Sequence, residues 1–146
     1  MKDTPILIPR SEPDPTLKDG LPDPILTPGH VSDLPMEVVM NPGYAAANRR
    51  VPGWIRVKVF SRYGIGRKEW SFYDIDHLVP LSLGGTNELN NLWPHAWTSL
   101  FNPRKKAKLE GRLRLMVKRK RLQLKEAQQL LMTDWIAAYQ RYCGQY

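Results

Sequence analysis

Cysteine and long apolar runs are both scarce in this sequence of 146 residues. The single cysteine, Cys143, excludes an intramolecular disulfide framework and a Cys-based zinc site, so any metal must be held by oxygen and nitrogen ligands. No apolar run approaches the roughly 20 residues that cross a bilayer, and the charged, Pro-rich start lacks the apolar core of a signal peptide. We therefore expect no membrane association and a cytoplasmic location by default. Secretion stays open, because a signal peptide that has been removed leaves no trace.

Acidic residues are in the minority. The chain has 14 Asp and Glu against 22 Lys and Arg, which gives a formal net charge of +8 at pH 7. Such an excess favours a polyanionic partner, and nucleic acid is the first candidate. The length suits one domain.

Proline is abundant but unevenly placed, with ten of the 13 prolines in residues 1–52. Each proline lacks an N–H and restricts the residue before it, which disfavours both helix and central strand. We predict an extended or disordered arm over residues 1–26 and a single domain over residues 27–146. The stretch from residue 27 to 52 carries apolar side chains and is expected to lie as irregular structure over the core.

Two secondary structures fit the segment Ile55–Phe60. Its apolar and basic residues alternate, which is typical of a strand, whereas Trp54, Val57 and Phe60 suit one face of a short helix. Periodicity leaves both possibilities open.

The middle of the chain, residues 70–97, has the pattern of a β-hairpin. β-formers fill residues 70–83, and the run Gly84-Gly85-Thr86-Asn87 supplies a turn that tolerates positive φ. Residues 89–93 are the predicted return segment, which we expect Pro94 to end.

The last third of the chain is strongly basic and has helical periodicity. Between Arg104 and Lys125 there are eleven Lys or Arg and one acid, Glu110. Apolar residues recur there at helical spacing, at Leu109, Leu113, Met116 and Val117. A second helix is predicted over about residues 125–142. The hairpin and the helices together predict an α+β fold.

The residues best suited to catalysis are an acid and a histidine in the hairpin. On a strand, Asp74 and Asp76 share one face and His77 points to the other. Asp76 offers a hard oxygen ligand beside a titratable nitrogen, and metal-assisted phosphodiester hydrolysis needs both. Asn102, at the start of the basic helix, is well placed as a second ligand for Mg²⁺ or Mn²⁺. Two protein ligands leave an open coordination shell for water and substrate.

These residues resemble the HNH endonuclease pattern, which is built on the ββα-metal fold. The shared motifs are Asp76-His77-Leu78-Val79-Pro80, Gly84-Gly85, Asn91-Leu92, and an Asn followed by Lys. A closer similarity, over roughly residues 27–142, is to small bacterial HNH proteins. Its motifs are Thr27-Pro28-Gly29, Tyr63-Gly64, Asn91-Leu92-Trp93-Pro94, a helix start with Asn102, Lys106, Leu109 and Glu110, and the pairs Ala127-Gln128 and Asp134-Trp135.

The resemblance implies a role for each matching residue. Asp76 becomes the first metal ligand, His77 the general base, and Asn102 the final ligand. Asn91 becomes the residue that braces the loop and orients the histidine. The interval of eleven residues between Asn91 and Asn102 is longer than is usual in the family. His95 stands where the small bacterial proteins commonly have Gln.

The predicted function is divalent-metal-dependent cleavage of DNA with low sequence specificity. The HNH core is predicted over about residues 70–120, and His95 and Asp74 are further candidates for a metal or catalytic role. The residues predicted to bind nucleic acid are Arg104, Lys105, Lys106, Lys108, Arg112, Lys118, Arg119, Lys120 and Arg121. Zn²⁺ or Ni²⁺ and an RNA substrate stay open. The alternatives are a non-catalytic nucleic-acid-binding module on an HNH scaffold, and a nuclease controlled by an inhibitor or phage-complex partner, such as a toxin or a packaging component.

Overall fold

The computed structural model describes residues 19–144 of the chain. Its α-helices are α1 (Met36–Val39), α2 (Tyr44–Asn48), α3 (Gly53–Arg62), α4 (Pro103–Lys118) and α5 (Leu124–Tyr142). Its strands are β1 (Tyr73–His77) and β2 (Leu92–Ala96). Short 3-10 helices cover Arg67–Phe72, Leu81–Leu83 and Leu89–Asn91. The predicted α+β class is confirmed.

The predicted hairpin is present, with shorter strands than the pattern suggested. β1 and β2 pair antiparallel, with Asp74 opposite His95 and Asp76 opposite Trp93. Pro94 lies in the middle of β2 and does not end it, so that prediction was wrong. A proline is tolerated in an edge strand because a position facing away from the partner strand needs no N–H.

The loop between the strands depends on its two glycines. Gly84 has a φ of 90°, which favours glycine, and a Cβ on Gly85 would lie 1.6 Å from the carbonyl oxygen of Val79. The loop therefore folds tightly back on the residues that follow β1. This close approach explains the Gly-Gly pair.

The segment that fitted both a strand and a helix is α3. Val59 and Phe60 are buried, and the Phe60 ring stacks on Trp70 with 4.7 Å between ring centroids. Trp54 and Val57 stay exposed, Trp54 at 63%. The helix is thus fixed by the contacts of its C-terminal half.

Helices α4 and α5 cover the core with the apolar faces expected from their spacing. Leu109, Leu113 and Val117 are buried on α4, and Trp93 and Trp135 are fully buried in the same core. α4 ends at Lys118, so residues 119–121 belong to the turn before α5. The predicted second helix is confirmed as α5. It is interrupted at Asp134, whose backbone is extended.

Residues 19–26, which the sequence assigned to the arm, lie against the domain. The indole N–H of Trp135 donates to the Gly20 carbonyl at 2.8 Å, and the Asp23 backbone N–H donates to the Tyr63 hydroxyl at 3.0 Å. The rest of the predicted arm, residues 1–18, lies outside the described residues. The stretch expected to be irregular contains the short helices α1 and α2.

Within residues 19–144, no helix has the length and apolar character needed to cross a membrane.

Candidate active site

A cleft of about 470 Å³ is lined in part by four consecutive residues of β1. We call it the β1 cleft. Its lining residues are Arg49, Val51, Arg56, Asp74, Ile75, Asp76 and His77. The structure therefore brings together three of the predicted site residues, Asp74, Asp76 and His77. The two arginines in the lining come from the chain between α2 and α3 and from α3 itself, and were not predicted.

His77 ends β1 and is held by one side-chain contact. Its Nε2 lies 3.0 Å from Oδ1 of Asn87. The Asn87 amide is oriented by two backbone groups: its Nδ2 donates to the Asn48 carbonyl at 2.9 Å, and the Arg50 N–H donates to Oδ1 at 3.1 Å. Because Oδ1 can only accept, Nε2 of His77 carries the proton.

In this tautomer the second ring nitrogen of His77, Nδ1, is unprotonated and carries a lone pair. Among residues 19–144, Nδ1 has no hydrogen-bond partner. Burial lowers the pKa of His77, although Asn87 and Asp76 act against the shift. A neutral imidazole at pH 7 with an unpaired nitrogen can accept a proton from water.

The two carboxylates of the cleft differ in their surroundings. Burial, together with the negative charge of Asp76, raises the pKa of Asp74 to about 6. Burial would also raise the pKa of Asp76, but the charge of Lys106 and the contact with His95 outweigh it and lower that pKa. Asp76 is therefore the firmly ionised member of the pair, and Asp74 titrates near neutrality.

Lys106 contacts residues of the cleft from the protein interior, and its side chain is only 1% exposed. Its Nζ donates to the His77 carbonyl at 2.7 Å and to Glu110 Oε2 at 2.6 Å, and it lies 3.6 Å from Oδ1 of Asp76. Burial would lower the pKa of Lys106, but Asp76 and Glu110 raise it. The Lys106 ammonium is enclosed by protein groups, and its predicted role in binding nucleic acid stays a prediction. The i,i+4 spacing to Glu110, the one acid of the basic segment, was the available signal.

His95 completes this group, which we call the Lys106 cluster: Asp76, His95, Lys106 and Glu110. The ring is fully buried and stacks on Trp93. Nδ1 lies 2.8 Å from Oδ2 of Asp76, and Nε2 lies 2.8 Å from the Phe101 carbonyl oxygen. Both ring nitrogens of His95 therefore face oxygen atoms of the protein. In this arrangement neither nitrogen is open to a metal, so His95 positions Asp76.

Asn91 braces the loop between the strands through its side-chain amide. Its side chain is fully buried and makes four hydrogen bonds, to the N–H groups of His30 and Val79 and to the carbonyls of Val79 and Thr86. Its side chain does not contact His77, whose side-chain partner is Asn87. Sequence reasoning took Asn87 for a turn residue, and nothing in its local pattern distinguishes it.

Asn102 acts as the N-cap of α4. Its Oδ1 accepts a hydrogen bond from the Lys105 N–H at 3.0 Å, and the helix begins at Pro103. Within the part of the chain that the structure describes, Asn102 neither lines the β1 cleft nor contacts Asp76 through a hydrogen bond. Its assignment as a metal ligand stays a prediction.

The contiguous basic residues lie apart from the cleft. Lys118 follows Lys106 by twelve residues of α4, about 18 Å along the helix axis at 1.5 Å per residue. The guanidinium of Arg112 donates to the Tyr142 carbonyl, and that of Arg104 lies over the Trp97 ring. The cations that line the cleft are instead Arg49 and Arg56. The Arg49-Arg50 pair was the available signal in the sequence.

No group of three or more His, Cys, Asp or Glu that could hold a metal ion is found in residues 19–144. Comparison with protein-family models, curated proteins and solved structures gives no match for this chain. The HNH resemblance therefore rests on the sequence motifs alone.

Proposed function

We propose that the protein is a divalent-metal-dependent HNH endonuclease that hydrolyses DNA phosphodiester bonds with low sequence specificity. One observation carries the proposal. His77 lines a cleft beside two carboxylates, with Nε2 fixed by Asn87 and Nδ1 left as a lone pair. A satisfied structural histidine uses both nitrogens, as His95 does. A general base needs one nitrogen free.

The order of the elements supports a ββα-metal core made of β1, β2 and α4. His77 is the last residue of β1, and Lys106 in the first turns of α4 donates to its carbonyl. This hydrogen bond joins α4 to the end of β1, where His77 is the proposed base. Asn91 fixes the loop that returns the chain to β2.

In the proposed mechanism, Nδ1 of His77 removes a proton from the water that attacks the scissile phosphorus. Asn87 keeps the ring in place and holds the proton on Nε2, so that the basic lone pair stays on Nδ1. The bond from phosphorus to the 3′ oxygen breaks, and that oxygen takes a proton from solvent, which leaves a 5′ phosphate and a 3′ hydroxyl. General-base help of this kind contributes about 10²–10⁴-fold to a rate.

Asp74 and Asp76 line the cleft together on one face of β1 and would hold a divalent cation there. Their oxygens are the hard donors that Mg²⁺ and Mn²⁺ prefer. As a third ligand, Asn102 would have to bind the ion through the same Oδ1 that accepts the Lys105 N–H at the start of α4. When bound, the ion supplies Lewis-acid stabilisation of negative charge on the phosphate oxygens. Zn²⁺ and Ni²⁺ are the alternatives.

The proposed substrate follows from the charge of the chain. A net charge of +8 favours a nucleic acid, and contacts between basic side chains and phosphates carry no sequence information. Low specificity is therefore the expected behaviour.

The test is conversion of supercoiled plasmid to nicked and linear forms with Mg²⁺, Mn²⁺, Ni²⁺ or Zn²⁺ in turn. We expect cleavage with at least one of these ions, none in EDTA, and none with His77→Ala. The matched control is His30→Ala, which changes a histidine whose Nδ1 contacts Thr86 outside the cleft.

A second candidate is a non-catalytic nucleic-acid-binding module. It is favoured by one observation: the Lys106 ammonium already supplies a positive charge 3.6 Å from Asp76 without any metal. DNA binding in a gel-shift assay, with no cleavage under any of the four ions, would establish this candidate and exclude the nuclease.

A further inference from the structure

We propose that Arg49 and Arg56 form a phosphate-binding wall of the β1 cleft, which grips the phosphodiester group that is to be cleaved. This inference deepens the proposed function and rests on it. It assigns substrate binding to two residues far from the contiguous basic segment.

The first argument is position. Arg49 and Arg56 line the β1 cleft together with Asp74, Asp76 and His77. A cleft of about 470 Å³ is in the size range of small-ligand sites, and it accommodates a phosphate with parts of the flanking sugars. A phosphate bound there shares the cleft with both arginines and the proposed base.

The second argument is that both guanidinium groups are available. Arg49 and Arg56 are exposed, and within residues 19–144 neither guanidinium has a hydrogen bond or an ion pair. The guanidinium of Arg56 lies over the Trp70 ring, 5.9 Å from its centroid.

Other arginines behave differently. The guanidinium of Arg62 donates to the carbonyls of Leu89 and Leu26, and that of Arg114 donates to the Met40 carbonyl. Those side chains tie segments of the chain together. The cleft arginines carry no such structural bond in the described part of the chain.

The third argument is charge. Asp74 and Asp76 repel an anionic phosphodiester, so a site that uses them needs cations on the opposite wall. Arg49 and Arg56 are the cationic residues that line the same cleft as these two carboxylates.

The fourth argument is chemical. A guanidinium presents paired N–H donors that match two phosphate oxygens, which lysine cannot do. Hydrolysis adds a second negative charge to the phosphoryl group, and donors already aimed at those oxygens stabilise the transition state more than the ground state. Arg49 and Arg56 should therefore act on turnover as well as on affinity.

The test uses a substrate too small to reach any distant basic residue. Hydrolysis of bis(4-nitrophenyl) phosphate, with the ion that supports plasmid cleavage, is measured for Arg49→Gln and Arg56→Gln. We expect kcat/KM to fall at least about tenfold for each, the scale of one charge-assisted hydrogen bond. The fold should be unchanged by circular dichroism, because both side chains are exposed.

Matched controls remove the same charge next to the cleft. Arg50→Gln changes the chain neighbour of Arg49, and Arg67→Gln changes the other guanidinium over Trp70, at 4.6 Å. Neither control residue lines the cleft. If the controls lose as much activity as the cleft variants, the effect is general electrostatics and the wall is excluded. Unchanged kcat/KM in both cleft variants excludes it as well.

A binding experiment separates this inference from the proposed function. Affinity for a fluorescein-labelled 12-base-pair duplex is measured in EDTA by anisotropy, where no cleavage occurs. If the unchanged protein cleaves nothing but loses affinity on Arg49→Gln and Arg56→Gln beyond the controls, the wall stands and the nuclease proposal fails. If the protein cleaves and these variants bind and turn over normally, the wall fails and the nuclease proposal stands. Absence of duplex binding by the unchanged protein overturns both.

Discussion

The β1 cleft and the Lys106 cluster share Asp76 and each contains one histidine, but they treat their polar groups differently. In the cluster, His95 has both ring nitrogens bonded, and Lys106 is surrounded by three oxygen acceptors. In the cleft, His77 has one nitrogen bonded by Asn87 and one without a partner in the described chain. Satisfied buried groups stabilise a fold, whereas an oriented but unsatisfied group is available for chemistry.

One carboxylate, that of Asp76, belongs to both regions. Asp76 is held from behind by His95 and Lys106, so its orientation does not depend on a ligand in the cleft. The Lys106 cluster thus fixes the orientation of the Asp76 carboxylate, which also lines the cleft. Changes in the cleft should therefore reduce activity, and changes in the cluster should reduce stability.

The largest effect is expected for His77→Ala. Loss of the proposed base should lower the rate of plasmid cleavage by about 10²–10⁴-fold. The melting temperature should change little, because one hydrogen bond to Asn87 is lost and its net contribution is about 1 kcal/mol. A variant that keeps more than a tenth of the rate would remove His77 from the mechanism.

The next effect is expected for Lys106→Met, which breaks the cluster. Removal of one partner from a buried charged group leaves the others uncompensated, and the free energy of unfolding should fall by about 3–5 kcal/mol. Urea unfolding measures the change, and Lys118→Met at the exposed end of α4 is the control, expected within about 0.5 kcal/mol of wild type. A loss below about 1 kcal/mol would show that Lys106 is not a stabilising centre.

A smaller effect is expected for Asn87→Ala. It leaves the base present but no longer oriented, so kcat should fall by about tenfold, the equivalent of 1.4 kcal/mol. Asn87→Asp distinguishes orientation from structure, because its carboxylate accepts the same N–H and raises the pKa of His77. The acidic limb of the pH–rate profile should then move to higher pH. An unmoved limb in Asn87→Asp would contradict the assigned contact.

The smallest effect concerns Asp74 and pH. Its pKa is about 6 in the folded protein against 3.8 ordinarily, so the folded state holds the proton more tightly than the unfolded state. Stability should therefore decrease as pH rises from about 4 to above 6. Asp74→Asn should remove this loss and raise the melting temperature by a few degrees at pH 8, with little change at pH 4. A pH-independent difference between the two proteins would exclude titration of Asp74 as the cause.

Several parts of the structure followed from local patterns. The apolar stripe through Leu109 and Leu113 predicted α4, and the Gly84-Gly85 pair predicted the tight loop between the strands. Asp76 and His77 were identified as candidates from their adjacency, and the structure places both in one cleft. Each of these depends on neighbours within a few residues, which a sequence displays directly.

Other parts depend on groups that are distant along the chain. Asn87 meets His77 only because the Asn48 carbonyl and the Arg50 N–H fix its amide, and no local pattern reports such a contact. The helical choice in α3 was settled by burial of Phe60 against Trp70, since its periodicity fitted a strand equally well.

The chemical inventory and the local structure follow from the order of the residues: an Asp-His pair on a strand, a Gly-dependent loop, two amphipathic helices and an excess of positive charge. Which charges are paired inside the protein and which are available to a ligand depends on the tertiary structure. Lys106 and Arg49 each stand beside other cations in the sequence, which does not distinguish them. Packing encloses the ammonium of Lys106 among three oxygens and leaves the guanidinium of Arg49 in the lining of a cleft. The physical reason is that burial and pairing depend on every element that surrounds a group, and those elements are brought together only by folding.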